Sequence, residues 1–509
     1  MTVKIRSAIS ARSLAAYLLL AVLLAAGAGA AVAFRIEIAL ITVAAGLVAA
    51  LALLLWRHPY LGILAVVWLM PLHSLMLAGL VSVEALPNAA VEAFKLWKLG
   101  LVLLLIARLW WSGRQQRRVT WLDLAIGLFF AIEALYLLLP AGPELYVRLF
   151  AIQFDSLFLL FYVLGRLFPY SYRQFRGIIL SLLAVGALAA ALALVEIAFF
   201  REFMFSFRDY FAYLGKEVDR WLPVQFYTYI GGTRVQRPGS IYLNPIEFSF
   251  ALLVPLTLGW GLAIANAYRP LYRLWLTLLA MLGGLLVALS RSAMVALALG
   301  LAFVLLLRQR MPRWFLVLIA ILLVAALAAA AILRLDQLVL DTINLAEPSA
   351  VGHVLRWQGS VETMQEAPLG LGLGNIGPVA RRFVDSEALI NESWYFQIAT
   401  EMGIPTGLLF AAIMALLVVQ SLLIWPAMPD RFLRATVLGF AGAAVALSVT
   451  ALFLHTWSYD AVAFPFWLLA GLVVQLPERV RQPGWLPNRP GRTAPSGEEH
   501  NTAGHGGGP

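Results

Sequence analysis

Cysteine is absent from the chain. That excludes disulfide bonds, iron–sulfur clusters and thiolate zinc sites, and leaves the compartment unspecified. Charge is scarce as well. Asp, Glu, Lys and Arg make up 13% of the 509 residues, about half the share usual in a soluble domain. The six histidines are scattered, and neither a DxD nor an HExxH motif occurs, so no metal or other cofactor is expected. No long basic block or basic–aromatic patch exists, which argues against nucleic acid as a partner.

What is plentiful is apolar surface. Hydrophobic residues account for 62% of the chain, and mean hydropathy is +0.86. Lipid must solvate most of such a fold, so the expected class is an all-α polytopic membrane protein. A span needs about 20 mostly apolar residues. That rule selects stretches near 14–34, 36–56, 61–80, 94–111, 122–139, 149–167, 178–200, 248–267, 274–289, 293–307, 314–333, 404–425, 432–454 and 461–476. The expected count is about 12–14 transmembrane helices, because Pro71 interrupts the third stretch and the ninth and tenth are short.

Orientation follows from arginine. With both termini in the cytoplasm, the inner connections hold Lys4, Arg6 and Arg12, then Arg57, Arg114, Arg117 and Arg118, Arg173 and Arg176, Arg269 and Arg273, Arg308, Arg310 and Arg313, Arg431 and Arg434, and Arg479 and Arg481. The short outer turns hold little beyond Arg35, Arg148 and Arg291. This asymmetry is the positive-inside rule, loop after loop. The first stretch reads as an uncleaved helix rather than a signal peptide, being long enough to span and followed at once by a second.

Six regions result: N-terminal spans over 1–200, a long external segment over 201–247, central spans over 248–333, a second external segment over 334–393, C-terminal spans over 394–476, and a disordered cytoplasmic tail over 477–509. Long connections in a compact fold carry function or are disordered. Trp221, Phe226, Tyr227, Tyr229 and Trp357 argue for order and for short helices lying over the membrane surface. The first segment carries Arg201, Arg208, Arg220, Arg234 and Arg237, and the second Arg334, Arg356, Arg381 and Arg382. A lone arginine is ordinarily solvated. A cluster beside a bilayer suggests an anionic ligand, because the guanidinium fork matches phosphate oxygens.

Arg291 stands in LSRSA, between two apolar runs with almost no polar turn. A cation there either snorkels to headgroups or serves function, and the cost of the position favours function. Downstream, Gly370, Gly372 and Gly374 alternate, which allows a tight turn without forming a nucleotide fingerprint. His353 and Arg356 share a face if their segment is helical. Glu392 precedes an apolar helix, where it either caps the N-terminus or acts as a general base. Glu401, Gly403 and Pro405 mark a break before the next span.

Four pieces, RPGSIYLNPIEFSFALLVPL, LSRSAMVALALG, RWQGSVETMQEAPLGLGLGN and ESWYFQIATEMGIPTG, resemble in content and order the O-antigen ligase and O-antigen polymerase family of bacterial cell-envelope enzymes. The resemblance covers 234–409. It implies glycan transfer from an undecaprenyl-diphosphate-linked donor to a glycan or glycolipid acceptor, at the external face of the bacterial inner membrane. It implies Arg291 and Arg356 as diphosphate-binding groups. The position of the ligase histidine is occupied by Glu392, with Asn391 beside it, a departure that leans toward a polymerase or another glycan transferase.

The expected chemistry is metal-independent: arginines stabilise the departing diphosphate, and Glu392 accepts the acceptor's proton, with His353 as a second base. Catalytic roles thus fall to Glu392, Arg291 and Arg356, and substrate contacts to Arg234, Arg237, Asn244, His353, Trp357 and Asn391. Membrane lipids and a chain-length regulator are further expected partners. The rival class is a transporter or flippase of anionic substrates, for which Asp155 is the strong mid-span acid.

Overall fold

The computed structural model describes residues 36–83, 88–113, 118–139, 143–214, 218–219, 222–230, 233–307, 348–384 and 390–487. The stretches expected to span at 14–34 and 314–333 lie outside the described residues, as does the tail from 488 onward.

Local signals start the helices. Thr120 Oγ1 accepts from the Asp123 amide at 3.2 Å while the Asp123 carboxylate accepts from the Thr120 amide at 2.8 Å. This reciprocal cap opens Trp121–Leu138. Ser171 and Gln174 repeat the device for Tyr172–Ala198. Asp430 caps Arg431–Phe453, and Asn244 caps Pro245–Ala251 with Pro245 at the first helical position.

The protein is a helical, multi-pass membrane protein. Among the described residues six helices are long and apolar enough to cross a bilayer: Trp121–Leu138, Tyr172–Ala198, Pro245–Ile264, Ile404–Ala427, Arg431–Phe453 and Asp460–Val480. Two bent pairs, Gly46–Arg57 with Pro59–Leu69 at 116° and Leu145–Asp155 with Leu157–Leu167 at 51°, raise the count to eight. The described residues therefore hold fewer continuous spans than 12–14. The stretch 61–80 divides around Pro71 into Pro59–Leu69 and His73–Val81, and 94–111 divides into Asn88–Lys95 and Trp97–Trp111. Leu271–Val287 and Arg291–Leu306 are apolar but shorter.

The fold is also not purely helical. The first long segment holds the short helices Phe200–Phe205 and Arg208–Tyr213 and then two antiparallel hairpins. Val218–Asp219 pairs with Leu222–Pro223, and Tyr227–Ile230 pairs with Thr233–Gln236. Gly231 and Gly232 stand between the latter two strands in sequence, a pattern that favours a hairpin over a helix.

Small residues set the helix crossings, as they do where apolar driving force between helices is weak. Gly165 of Leu157–Leu167 lies against Gly471 of Asp460–Val480. Arg431–Phe453 packs on both Leu253–Ile264 and Arg291–Leu306, with Gly439 and Gly442 at the contacts. An aromatic core joins Leu157–Leu167 to Asp460–Val480: Trp467 lies 5.7 Å from Phe158 and 5.4 Å from Trp457, ring centre to ring centre.

A Cβ at residue 300 would lie 2.6 Å from the Gly442 carbonyl oxygen and 3.1 Å from Ala446 Cβ. Gly300→Leu is therefore expected to push the helix headed by Arg291 away from its neighbour. The loss should be about 1–3 kcal/mol, the usual cost of overpacking, visible as a lower unfolding temperature in detergent. An unchanged temperature would show that this crossing tolerates separation.

Candidate functional site

The candidate residues fall into two basic clusters. The first is built on the helix Pro348–Glu366, where His353 and Arg356, three residues apart, present side chains to the same neighbour. That neighbour is Glu392. Its Oε2 lies 2.7 Å from His353 Nδ1, and its Oε1 forms an ion pair with Arg356 Nη1. Glu392 has φ +46°, an uncommon backbone state for a residue with a side chain. The helix Trp394–Met402 begins after Ser393, which makes no side-chain cap. Glu392 thus turns its carboxylate toward His353 and Arg356.

Trp357 walls this cluster, packing 6.2 Å from Phe396 and 5.7 Å from Phe453. Asn391 points the other way: it is fully buried and its amide donates to Thr400 Oγ1 at 2.6 Å. Burial and the nearby Arg381 lower the Arg356 pKa. Both changes favour giving up charge, so an anion entering the cluster relieves them.

The second cluster is built on the segment after the 227–236 hairpin. Arg237 Nε donates to the Ala288 carbonyl at 2.8 Å and Nη1 to the Gln225 carbonyl at 3.3 Å. Burial, then the adjacent Arg291, pulls Arg237 down to about 10. It stays protonated at neutral pH, beside a second cation. Arg291 is the first residue of Arg291–Leu306, where the helix macrodipole already disfavours a positive charge. Two guanidinium groups and a helix N-terminus therefore converge, which suits an anion. Arg234 instead stacks 3.4 Å over the Tyr227 ring within the hairpin. Asn244 accepts from the Ile246 and Glu247 amides at 3.0 and 3.4 Å, so its carbonyl oxygen is occupied by capping.

The turn 455–460 feels the charge of both clusters. His455 is buried, and burial followed by the charge of Arg356 lowers it to about 4, leaving it neutral. Burial, then the nearby Glu247 carboxylate, raises the Tyr459 pKa, and the charge of Arg237 opposes them. His455 and Tyr459 carry no motif, and sequence reasoning missed them. The only signal was the polar run HTWSYD between two apolar helices. Among the described residues no group of three or more His, Asp or Glu has metal-binding geometry.

The arginine turn is itself held from below. The buried Glu196 carboxylate accepts from the Gly239 amide at 3.0 Å and the Ser240 amide at 2.6 Å. Glu196→Gln puts an amide N–H against one of those donors. It is expected to cost about 1–3 kcal/mol, the penalty for an unsatisfied buried group, and to weaken anion binding at Arg237. Thermal unfolding read alongside lipid-diphosphate binding checks this, and equal values for variant and wild type would count against the tether.

Residues 276–411 match the O-antigen ligase family model. The match encloses Arg291, His353, Arg356 and Glu392, while Arg234, Arg237 and Asn244 precede it. No curated protein matches the chain. Among solved structures, the chain is similar to one from a study of structural coordination of polymerization and crosslinking by a peptidoglycan synthase complex. That likeness has 19% identity, covers 69% of this chain and 96% of the other, and has a TM-score of 0.39.

Proposed function

We propose that the protein transfers glycan from an undecaprenyl-diphosphate-linked donor to a sugar hydroxyl, as an O-antigen-type polymerase or ligase. The observation that carries this reading is the carboxylate of Glu392 held between His353 at 2.7 Å and Arg356, inside the segment matched by the O-antigen ligase family.

The acceptor's hydroxyl oxygen forms a bond to the anomeric carbon. The bond from that carbon to the diphosphate breaks, and its electron pair leaves with the diphosphate. Arg356 and Arg291, with Arg237 beside Arg291, stabilise that departing charge, a task fixed dipoles and cations perform without reorganisation. The hydroxyl proton passes to the Glu392–His353 pair. Glu392 holds Nδ1, and the other ring nitrogen receives the proton while the carboxylate stabilises the imidazolium. A single displacement inverts the anomeric configuration. Trp357 offers an apolar wall to the sugar.

The positive-inside pattern supports a site on the external face of the inner membrane with both termini in the cytoplasm. The acceptor is then a growing glycan or a glycolipid, and a chain-length regulator is a fitting partner for a polymerase. Asp155, buried close to the buried Glu401, is what a transport reading would rest on. Purified protein given a lipid-diphosphate glycan distinguishes the two. Elongation or transfer to a second acceptor supports the enzyme, whereas movement of intact donor across proteoliposomes with no new glycosidic bond supports transport.

A further inference from the structure

Glu392 keeps φ +46°, and a residue with a side chain stays in that region only where its surroundings over-determine it. Both of its sequence neighbours are buried. Downstream, Trp394 sits among aromatic rings, 5.7 Å from Phe158 and 6.0 Å from Phe410, ring centre to ring centre. Ser393, which makes no cap, donates its hydroxyl to the Ala451 carbonyl at 3.4 Å. That carbonyl lies in the last turn of Arg431–Phe453, where a helix cannot satisfy its own acceptors. Upstream, the tie is the Asn391 amide on Thr400 Oγ1 at 2.6 Å. Among the described residues no backbone hydrogen bond holds Asn391 or Glu392.

This tie has a fixed direction. A hydroxyl has one hydrogen to give, and Thr400 donates it to the Phe396 carbonyl at 2.7 Å. Towards Asn391 it can only accept, so Asn391 must turn its NH2 group to Thr400. The Asn391 side-chain oxygen then finds no donor among the described residues. A buried acceptor left unpaired is a cost to folding, so stability does not explain asparagine at 391. Thr400 also serves the other half of the site. Its carbonyl accepts from the Leu371 amide at 2.9 Å, and the next carbonyl, of Glu401, accepts from the Gly372 amide at 2.9 Å. The turn that makes these bonds leads directly out of Pro348–Glu366, the helix of His353 and Arg356. The end of Trp394–Met402 is thus the common support for Glu392 and for both of its partners.

We infer that Asn391 and Thr400 are positioning residues, whose hydrogen bond holds the backbone at 392 in the left-handed state that aims the Glu392 carboxylate at His353 and Arg356. This rests on the acid–base role proposed above for Glu392. Neither Asn391 nor Thr400 touches the reacting atoms in this scheme; both act through Glu392.

Asn391→Leu removes the tie, nearly conserves side-chain size, and leaves Thr400 its bond to Phe396. The expected result is a normally inserted protein with an undiminished unfolding temperature. Its kcat for transfer from a lipid-diphosphate glycan falls about tenfold to a hundredfold, the scale for a displaced reacting group. KM for that donor stays within about threefold. Thr400→Ser, which keeps the acceptor, should retain kcat within about threefold. The decisive comparison is made in the Glu392→Gln background by single-turnover transfer. There Asn391→Leu should cost less than about twofold, because no carboxylate remains to be aimed. Should Asn391→Leu fail to fold, Thr400→Val, which removes the acceptor, takes its place in the same comparison. An equal loss in both backgrounds, an unchanged kcat, or a kcat loss that tracks a lower unfolding temperature overturns the tie and leaves the role of Glu392 intact. A wild-type protein that transfers no glycan from a lipid-diphosphate donor overturns the functional reading and the tie together.

Discussion

Glu392→Gln is expected to cut glycan transfer by about two to four orders of magnitude, the usual range for removing a positioned acid–base group, while donor binding stays within about threefold. The carboxamide keeps an oxygen near His353 Nδ1 but carries no charge, so an imidazolium formed during transfer loses its counter-ion. It also frees Arg356 from its ion pair, which leaves that guanidinium with more donors for phosphate. The two effects act in opposite directions on kcat and on donor affinity, and that split identifies the role. Single-turnover transfer and equilibrium binding of the lipid-diphosphate glycan measure them separately. A carboxylate that merely braces the Pro348–Glu366 helix would instead lower the unfolding temperature and reduce both quantities together.

The spans were legible because long apolar runs flanked by arginine are hard to misread. Their interruptions were not. The bend at Ser156 between Leu145–Asp155 and Leu157–Leu167 has no proline or glycine to announce it, and Ser156 donates to the Ile152 carbonyl within its own chain segment. Such a break is chosen by neighbours, here the helix Asp460–Val480 that packs along the second half. The site divided in the same way. His353 and Arg356 were readable as a pair because helical spacing places them on one face, and Glu392 because a carboxylate stood before an apolar helix. That all three meet depends on how the segment at 390–393 approaches the 348–366 helix, and no local pattern encodes that. Asn391 and Asn244 show the converse. Both looked like ligand-binding amides, yet one is spent on Thr400 and the other on a helix cap. Amides satisfy backbone and side-chain groups so readily that sequence position alone cannot separate the two uses. The ion pair between Lys98 and Asp460 was invisible for a simpler reason: it joins residues 362 positions apart.

The proposal that two arginine clusters hold a single ligand makes a quantitative demand on Arg291 and Arg356. Arg356 has five N–H donors, of which the Glu392 ion pair engages one nitrogen, and its side chain is 42% exposed; it retains donors for phosphate oxygens. Arg291 sits against Arg237, where an anion would offset repulsion between like charges. Each single alanine variant should therefore lower kcat/KM by about two to three orders of magnitude, the scale for losing one donor to a developing oxyanion. The decisive measurement is the double variant. Groups that share one diphosphate are coupled, because loss of the first contact lets the ligand shift away from the second, so the combined effect should depart from the sum by about 0.5–3 kcal/mol. Groups serving separate ligands should add within about 0.3–0.5 kcal/mol. Strict additivity, with both single variants inserted and folded normally, would mean that the clusters bind different anions. Glu392 and Arg356 would then act on the glycan while Arg291 and Arg237 served some other charged lipid.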